Sequence, residues 1–292
     1  MATEFVQRWE QELDFLDVHY HVNPDTYTRR FNSVQAGREY QKLRGGVVLK
    51  SHLGCACAAA RTAIDEGLPV FGSIVLNQIA GGLSVRAIQS ALAHYDTKQN
   101  GRLIVHLPTI VPNKHRSTLV RKYHNDAIQK YALQELSISD ASGKLKPQMQ
   151  DILQFCKEHD VVLSSGHASR AEVEALVEAA DVVGGVRVML NQPANPITGM
   201  DANALKALGS YDWLYVEQTA LTVLLGYQTI EDFGAVLDGV HNAIYSSDLG
   251  QTSQMLPMQW LSHSQDWFAT VGLSQQQVTA AMLHKPLAML SP

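Results

Sequence analysis

The sequence has few charged residues and no excess of positive charge. Charged side chains make up 17% of the 292 residues, and the formal net charge is −5. Proteins that bind nucleic acid or anionic membrane surfaces usually present a strongly basic face, so this balance argues against both partners. No apolar run is long enough to span a bilayer, and the N-terminal segment lacks the basic-then-apolar order of a signal peptide.

Cysteine is also scarce. The three cysteines, Cys55, Cys57 and Cys156, form an odd and small set, which does not suit a disulfide framework. Proteins of this size with free thiols are typical of reducing compartments, so we expect a cytoplasmic protein. Cys55 and Cys57 lie among alanines at the start of a predicted helix, where small buried residues are a better interpretation than metal ligands.

Short apolar runs alternate with helical patterns along the whole chain. Hydrophobic residues make up 46% of the sequence, which is enough for a large core, and no Pro-, Gly- or Ser-rich linker divides it. Nearly continuous aliphatic strands that alternate with helices predict a parallel sheet buried on both faces. Eight such strands favour one (β/α)8 (TIM) barrel domain over residues 1–292. The predicted strands lie near residues 14–19, 46–51, 70–76, 103–107, 161–164, 186–190, 213–216 and 243–246.

Several helices and their boundaries are also predicted. Ser169 precedes a helix and can accept a backbone N–H there, while Ser274 followed by Gln277 resembles a capping box. The spacing of Phe5 and Trp9 indicates a short helix before the first strand, which we expect to cover the lower end of the barrel. The amphipathic segments are residues 56–66, 85–94, 147–159, 170–180, 202–208 and 230–240.

Two histidines alternate at the end of the first predicted strand. Side chains at positions i and i+2 of a strand share a face, so His19 and His21 point to the same side. Active sites of this fold lie at the C-terminal ends of the strands. Two imidazoles placed there can share one cation, and we favour this interpretation over a pair of buried, hydrogen-bonded histidines.

Two further strand ends carry candidate ligands. His167 follows the fifth strand, directly after Gly166, which frees the backbone, and Asp248 follows the eighth strand. A carboxylate at this position can bind a metal and also take a proton from the attacking water. The alternative for Asp248 is a cap of the following helix. His19, His21, His167 and Asp248 together form a more specific pattern than any one of them.

These residues carry a resemblance to a known superfamily. A His-x-His pair on the first strand, a histidine after the fifth and an aspartate after the eighth is the pattern of the amidohydrolase superfamily. The chain is most similar to the amidohydrolase-like proteins of the DUF6282 family, which has no agreed reaction. The resemblance implies a (β/α)8 barrel with a divalent metal site, with Zn²⁺ expected and Mn²⁺ or Fe²⁺ as alternatives. The similar stretches span nearly the whole chain: residues 17–21, 47–52, 71–77, 81–82, 108–109, 115, 139–147, 164–169, 246–251 and 284–290.

Lys50 ends the second predicted strand, where an unpaired charge would be costly to bury. The superfamily often uses a carboxylated lysine to bridge two metals, usually from the fourth strand, so a carbamate is one alternative. A cation that binds substrate or an oxyanion is the second, and an ion pair with Asp17 or Asp248 is the third. His52 lies two residues after Lys50, so its side chain would point to the same side of the strand, and it is a candidate ligand or proton relay.

The chain departs from the superfamily pattern after the sixth strand. Gln192 stands before Pro193, where the pattern has a histidine. An amide oxygen is a poor Zn²⁺ ligand beside imidazoles, which argues against a binuclear site. We assign substrate contacts to Gln192, to Arg29 as a carboxylate clamp, to His115 and to Glu217. We interpret His106, inside the fourth strand, as a core residue.

Four functions compete at this stage. We favour a metal-dependent hydrolase that cleaves a C–N or C–O bond of a small molecule, such as an amide, cyclic amide or lactone, with Asp248 as the proton shuttle. The same site could instead serve a lyase, isomerase or decarboxylase step. A phosphoesterase is disfavoured because further His/Asp clusters are lacking, and Gln192 motivates a non-catalytic relative with a degraded site. The sequence leaves open whether the chain forms a homo-oligomer.

Overall fold

The computed structural model describes residues 3–112, 115, 119, 121–209 and 211–292. Strands and helices alternate along most of this chain. The described residues form nine strands: β1 (Phe15–His21), β2 (Gly45–Lys50), β3 (Val70–Phe71), β4 (Ser73–Val75), β5 (Leu103–His106), β6 (Val161–Ser164), β7 (Arg187–Leu190), β8 (Leu214–Thr219) and β9 (Ala243–Ser246).

Helices follow most of the strands, and a 3₁₀ turn (Gln78–Ala80) and a π-helical turn (Ala280–His284) accompany them. Within the described ranges, no helix is long and apolar enough to cross a membrane. The α-helices are α1 (Glu4–Glu12), α2 (Ser33–Lys42), α3 (Cys57–Asp65), α4 (Val85–Ala93), α5 (Thr97–Asn100), α6 (Ala127–Tyr131), α7 (Pro147–Glu158), α8 (Arg170–Val183), α9 (Ala202–Ala207), α10 (Ala220–Leu224), α11 (Ile230–Gly239), α12 (Pro257–Thr270), α13 (Gln275–Thr279) and α14 (Lys285–Leu290).

Within each of two sheets, every strand pairs with its neighbour in parallel. One sheet has the order β1-β2-β3 and the other has the order β4-β5-β6-β7-β8-β9. Nearly every strand residue is buried, as expected for parallel strands that are covered on both faces. The prediction of a mixed α/β fold with parallel strands is confirmed.

Hydrogen bonds link the two sheets at both of their ends. Only Gly72 separates β3 from β4, and the Ser73 hydroxyl at the start of β4 donates to the Leu49 carbonyl of β2 over 2.6 Å. At the other end, the backbone N–H of Asp248 donates to the carbonyl of His19 over 2.9 Å. The segment that follows β9 therefore lies beside β1, and this brings Asp248 to the histidines.

The hydrophobic core has two parts, one on each face of the strands. The larger part packs between the strands and the surrounding helices. The smaller part joins one face of the strands to α1 and α14, and Trp9 of α1 packs on Phe71 with ring centroids 5.1 Å apart. The predicted N-terminal helix thus exists and covers one end of this inner cluster. The strand residues of this cluster include Leu16, Val18, Val48, Ile104, Val162, Met189 and Ile244.

Most predicted elements agree with the structure to within a few residues. The capping boxes of α8, from Ser169, and of α13, from Ser274, are both present. The third predicted strand, residues 70–76, is instead divided into β3 and β4 at Gly72. A side chain there would be crowded by Cys57 and Tyr95, since a Cβ on Gly72 would lie 3.0 Å from atoms of both.

Gly166 sets the turn that presents His167, and its replacement by alanine should be strongly destabilising. Its φ is 59°, and a Cβ would lie 2.2 Å from the carbonyl oxygen of Leu107. Gly143 also has a positive φ, of 81°, but nothing lies within 4 Å of its Cβ position. We expect Gly143→Ala to lower the free energy of unfolding by about 1 kcal/mol, and Gly166→Ala by roughly 2 kcal/mol more. Urea denaturation of both variants measures this difference, and equal losses would contradict it.

Candidate metal centre

His19 and His21 at the end of β1 meet Asp248 from the segment after β9. Nε2 of His19 lies 3.0 Å from Oδ1 of Asp248, and Nε2 of His21 lies 3.3 Å from the same oxygen. The three side chains are buried, and one ligand atom from each lies within 4.8 Å of the other two. This group can hold a metal ion.

The other ring nitrogen of each histidine meets a second carboxylate. Nδ1 of His19 is 3.0 Å from Oε1 of Glu217, and Nδ1 of His21 is 3.1 Å from Oδ2 of Asp25. An ionised carboxylate only accepts hydrogen bonds, so each Nδ1 carries the hydrogen and each Nε2 of a neutral ring keeps its lone pair. Such a lone pair would face the anionic oxygen of Asp248, so this arrangement favours positive charge at that point, either a proton on Nε2 or a bound cation.

Charges inside the site shift the pKa values of its groups in a consistent way. Burial favours the neutral acid of Asp248, but the charge of His19 and hydrogen bonds from His19 and His21 hold its pKa well below the usual range. Burial likewise opposes protonation of His19, yet the negative charge of Asp248 raises its pKa to about 9. Asp248 is therefore ionised, and the site attracts positive charge to the position of His19 Nε2.

Asp248 occupies an unusual backbone position. Its φ is 51°, in the left-handed region. Gly250, two residues later, has a φ of 125°, and a Cβ there would lie 2.1 Å from the carbonyl oxygen of His21. The next helix, α12, begins only at Pro257 and has Leu256 at its N-cap. Asp248 is thus not a helix cap, and the tight turn directs its side chain at the histidines.

Lys50 ends β2 directly beside His19. Its Nζ lies 3.0 Å from His19 Nε2 and donates to Oδ1 of Asn191 over 3.0 Å. Burial lowers the pKa of Lys50 to about 8. Asp17, one of the partners considered for Lys50, instead accepts hydrogen bonds from Tyr40 and from the backbone of Ser247. Lys50 therefore contacts the centre through His19, and Asn191 holds it in place.

His52, His167 and Gln192 line the pocket above the centre. Nδ1 of His52 is 2.8 Å from the Thr109 hydroxyl, and its ring centroid lies 4.6 Å from that of His21. Nε2 of His167 lies 3.3 Å from Nε2 of Gln192. His167 shares the pocket but lies outside the group of three mutually close ligands, so the structure brings together three of the four predicted ligands at this distance.

Arg29 is held by a buried aspartate that the sequence did not single out. Asp25 accepts from Arg29 Nε over 2.7 Å and lies 2.6 Å from its Nη2. It also accepts the backbone N–H groups of Thr26, over 2.7 Å, and His52, over 2.6 Å. Since Asp25 also meets His21, it ties the loop after β1 to the metal centre. It is a loop residue, and no strand or helix periodicity marks it.

Two of the residues predicted to bind substrate lie at different depths. Glu217 of β8 is fully buried behind His19, where it also accepts hydrogen bonds from Ser246 and from the backbone of Gln192. It is absent from the pocket lining, so its geometry is that of a residue acting through His19. His115 lines the pocket, where its ring meets Tyr227 at a centroid distance of 4.7 Å.

His106, interpreted as a core residue from the sequence, lies next to the centre. Its ring centroid is 6.0 Å from that of His19, and Nδ1 is 2.8 Å from the Ser164 hydroxyl. Among the described residues, its buried Nε2 and the Nδ2 of Asn191 have no hydrogen-bond partner. Side chains alternate between the two faces of a strand, and this alternation along β5 was the signal that could have placed His106 at the site.

The centre forms the floor of a pocket of about 560 Å³. A volume of this size is typical of small-molecule sites, which span roughly 300–1,000 Å³. Its lining includes His21, His52, His167, Gln192, Asp248, Thr26, Arg29, Arg121, Ile110, Ile197, Leu221 and Leu225.

The fold and site together define a parallel α/β protein with a buried His–His–Asp centre under a pocket. The chain belongs to DUF6282, described as a family of unknown function, whose profile matches residues 14–217. The match includes both histidines of the centre and Glu217, while Asp248 lies beyond it. The similarity noted at residues 246–251 and 284–290 also falls outside the matched segment. No curated protein matches the sequence.

Replacing Glu217 with glutamine should weaken metal binding without abolishing it. Its carboxylate accepts hydrogen bonds from His19, Ser246 and the backbone of Gln192. An amide N–H₂ would face at least one of these donors, and His19 would lose its fixed orientation. Loss of such an outer carboxylate typically lowers metal affinity about 10–100-fold. Zn²⁺ competition against a chromophoric chelator measures the effect, with the exposed Glu178→Gln as control. An unchanged affinity in Glu217→Gln would contradict this role.

Proposed function

We propose that the protein is a metal-dependent hydrolase that cleaves a C–N or C–O bond, in an amide, cyclic amide or lactone. One observation carries the proposal. His19 and His21 both direct Nε2 at one oxygen of Asp248, while separate carboxylates hold each Nδ1. A structural pair of histidines needs no such convergence, whereas metal-binding histidines are commonly oriented in this way.

We further propose that the strands form one closed (β/α)8 barrel in a single domain, with β3 and β4 as one interrupted strand. The parallel order of the strands supports this closure. So do the bond from Ser73 to β2 and the bonds between β1 and the segment after β9. In such a barrel the C-terminal strand ends face the active site, which is where His19, His21 and Asp248 lie.

The donor set suits a divalent cation of the Zn²⁺ type. Two imidazole nitrogens and one carboxylate oxygen are the ligands that Zn²⁺ favours, and Mn²⁺ or Fe²⁺ fit the same set. His19, His21 and Asp248 would hold the ion, and His167 lies in the same pocket. When bound, the cation would polarise the scissile carbonyl and make water more acidic.

The remaining chemistry falls to the side chains. Asp248 lines the pocket beside the two histidines, so its carboxylate can take a proton from the attacking water and return it to the leaving group. Water adds across the C–N or C–O bond, and an acid and an amine or alcohol leave. His52 and Gln192 border the space where the substrate must lie. Lys50 contacts His19 and is itself held by Asn191.

A substrate screen tests this proposal. Protein loaded with Zn²⁺, Mn²⁺ or Fe²⁺ is assayed against sets of amides, cyclic amides and lactones. We expect turnover in one class that is lost with a chelator and restored by the metal. Bound metal without hydrolysis in any class would overturn the hydrolase assignment and favour a lyase, isomerase or decarboxylase reaction at the same centre.

A further inference from the structure

The pocket above the metal centre has one apolar side and one side with hydrogen-bond donors and positive charge. We propose that it binds an amphipathic carboxylate, with the apolar body against Ile197, Leu221 and Leu225 and the carboxylate beside Thr26 and Arg29. The inference rests on the proposed function only for the position of the scissile group, over Asp248.

The apolar side is built from two loops that follow neighbouring strands. Ile197 lies after β7, and Leu221 and Leu225 lie in or next to α10, after β8. All three line the pocket, and Leu221 is only 9% exposed. Apolar side chains that line a cavity favour an apolar ligand group, because its burial removes both surfaces from water. Leu224, on the same helix, is 40% exposed and does not line the pocket.

The polar side contains a buried hydroxyl without a partner. Thr26 lines the pocket and is 1% exposed, and its Oγ1 makes no hydrogen bond within the described part of the chain. A buried polar atom without a partner is costly, so a ligand oxygen that accepts from Thr26 would be stabilised there. This is independent evidence that a polar ligand group belongs on this side.

The charge on this side favours an anion. A guanidinium has five N–H donors, and the contacts of Arg29 with Asp25 use its Nε and Nη2. Arg121 also lines the pocket, 4.9 Å above the ring of Tyr27. Arg29 and Arg121 thus both line the pocket, while Asp25 binds Arg29 through Nε and Nη2. A carboxylate fits both the charge and the accepting geometry.

Isothermal titration of the protein with unreactive probes tests the proposal. The probes are butanoate, hexanoate and octanoate, with octanamide as the neutral match. We expect affinity to rise about fourfold per methylene group and octanoate to bind about tenfold more tightly than octanamide. Equal binding of octanoate and octanamide, or no dependence on chain length, would overturn the proposal.

Matched variants locate the two halves of the ligand. Leu225→Gln should reduce the rise in affinity per added methylene group to less than about twofold. Leu224→Gln should leave this rise unchanged. Thr26→Val should weaken octanoate binding about fivefold, while Thr28→Val, two residues away, should not. Equal effects in a variant and its control would overturn the assigned positions.

Titrations with and without chelator separate this inference from the hydrolase assignment. If octanoate still binds after metal removal, the carboxylate lies at the Thr26–Arg29 side as proposed, whatever the outcome of the substrate screen. Binding that disappears with the metal would place the carboxylate on the cation and overturn the inference. The hydrolase assignment would stand in that case.

Discussion

Asp248→Asn is expected to remove nearly all turnover. The carboxylate of Asp248 faces both His19 and His21 through one oxygen and, when ionised, can accept the proton of water. An amide cannot act as a base, and loss of general-base assistance alone typically lowers the rate about 10²–10⁴-fold. The measurement is kcat with the substrate found in the screen.

Metal content must be measured in the same samples, because Asp248 also contributes to the metal group. A variant that keeps its metal but loses turnover isolates the proton-transfer role. Asp212→Asn is the control, since that side chain is 97% exposed and does not line the pocket. Turnover near that of the wild type in Asp248→Asn would exclude the proposed mechanism.

Asp25→Asn should be among the most destabilising single substitutions in the protein. It would leave Arg29 buried without its carboxylate and weaken the hold on His21 and the His52 backbone. Removing one partner of a buried ion pair typically lowers the free energy of unfolding by about 3–5 kcal/mol. Urea denaturation with the metal removed measures this loss without the added effect of metal binding.

Two further variants show whether the unpaired charge is the cause. Asp14→Asn breaks an ion pair with Arg44 in which both side chains are more than half exposed, so we expect a change of at most about 1 kcal/mol. Adding Arg29→Met to Asp25→Asn removes the buried charge and should restore part of the stability. A double variant less stable than Asp25→Asn would contradict the explanation.

The strands and most helices could be predicted because their signals are local. Aliphatic runs at β5 and β6, and a serine before α8, need no knowledge of distant residues. The placement of His19 and His21 on one face followed from strand alternation. The register irregularity between Asp17 and Tyr20 could not be predicted, because it depends on pairing with β2.

The two carboxylates behind the histidines, Asp25 and Glu217, could not be assigned their partners from the sequence. Asp25 lies in a loop without periodicity. Its role depends on hydrogen bonds from Arg29 and from the backbone of His52, which only the folded chain brings to it. Glu217 did carry a signal, because a carboxylate inside an apolar strand must be paired. Which group pairs with it depends on β8 facing β1 across the fold, and this is a tertiary fact.

Metal stoichiometry is the most direct test of the central claim, that His19, His21 and Asp248 form a metal centre. Elemental analysis is made on protein purified without chelator, and again after loading with Zn²⁺ and desalting. We expect about one divalent ion per chain, and a large loss of it when His19 and His21 are both changed to asparagine in a protein that remains folded. Wild-type protein that is metal-free and refuses Zn²⁺, Mn²⁺ and Fe²⁺ would contradict the claim.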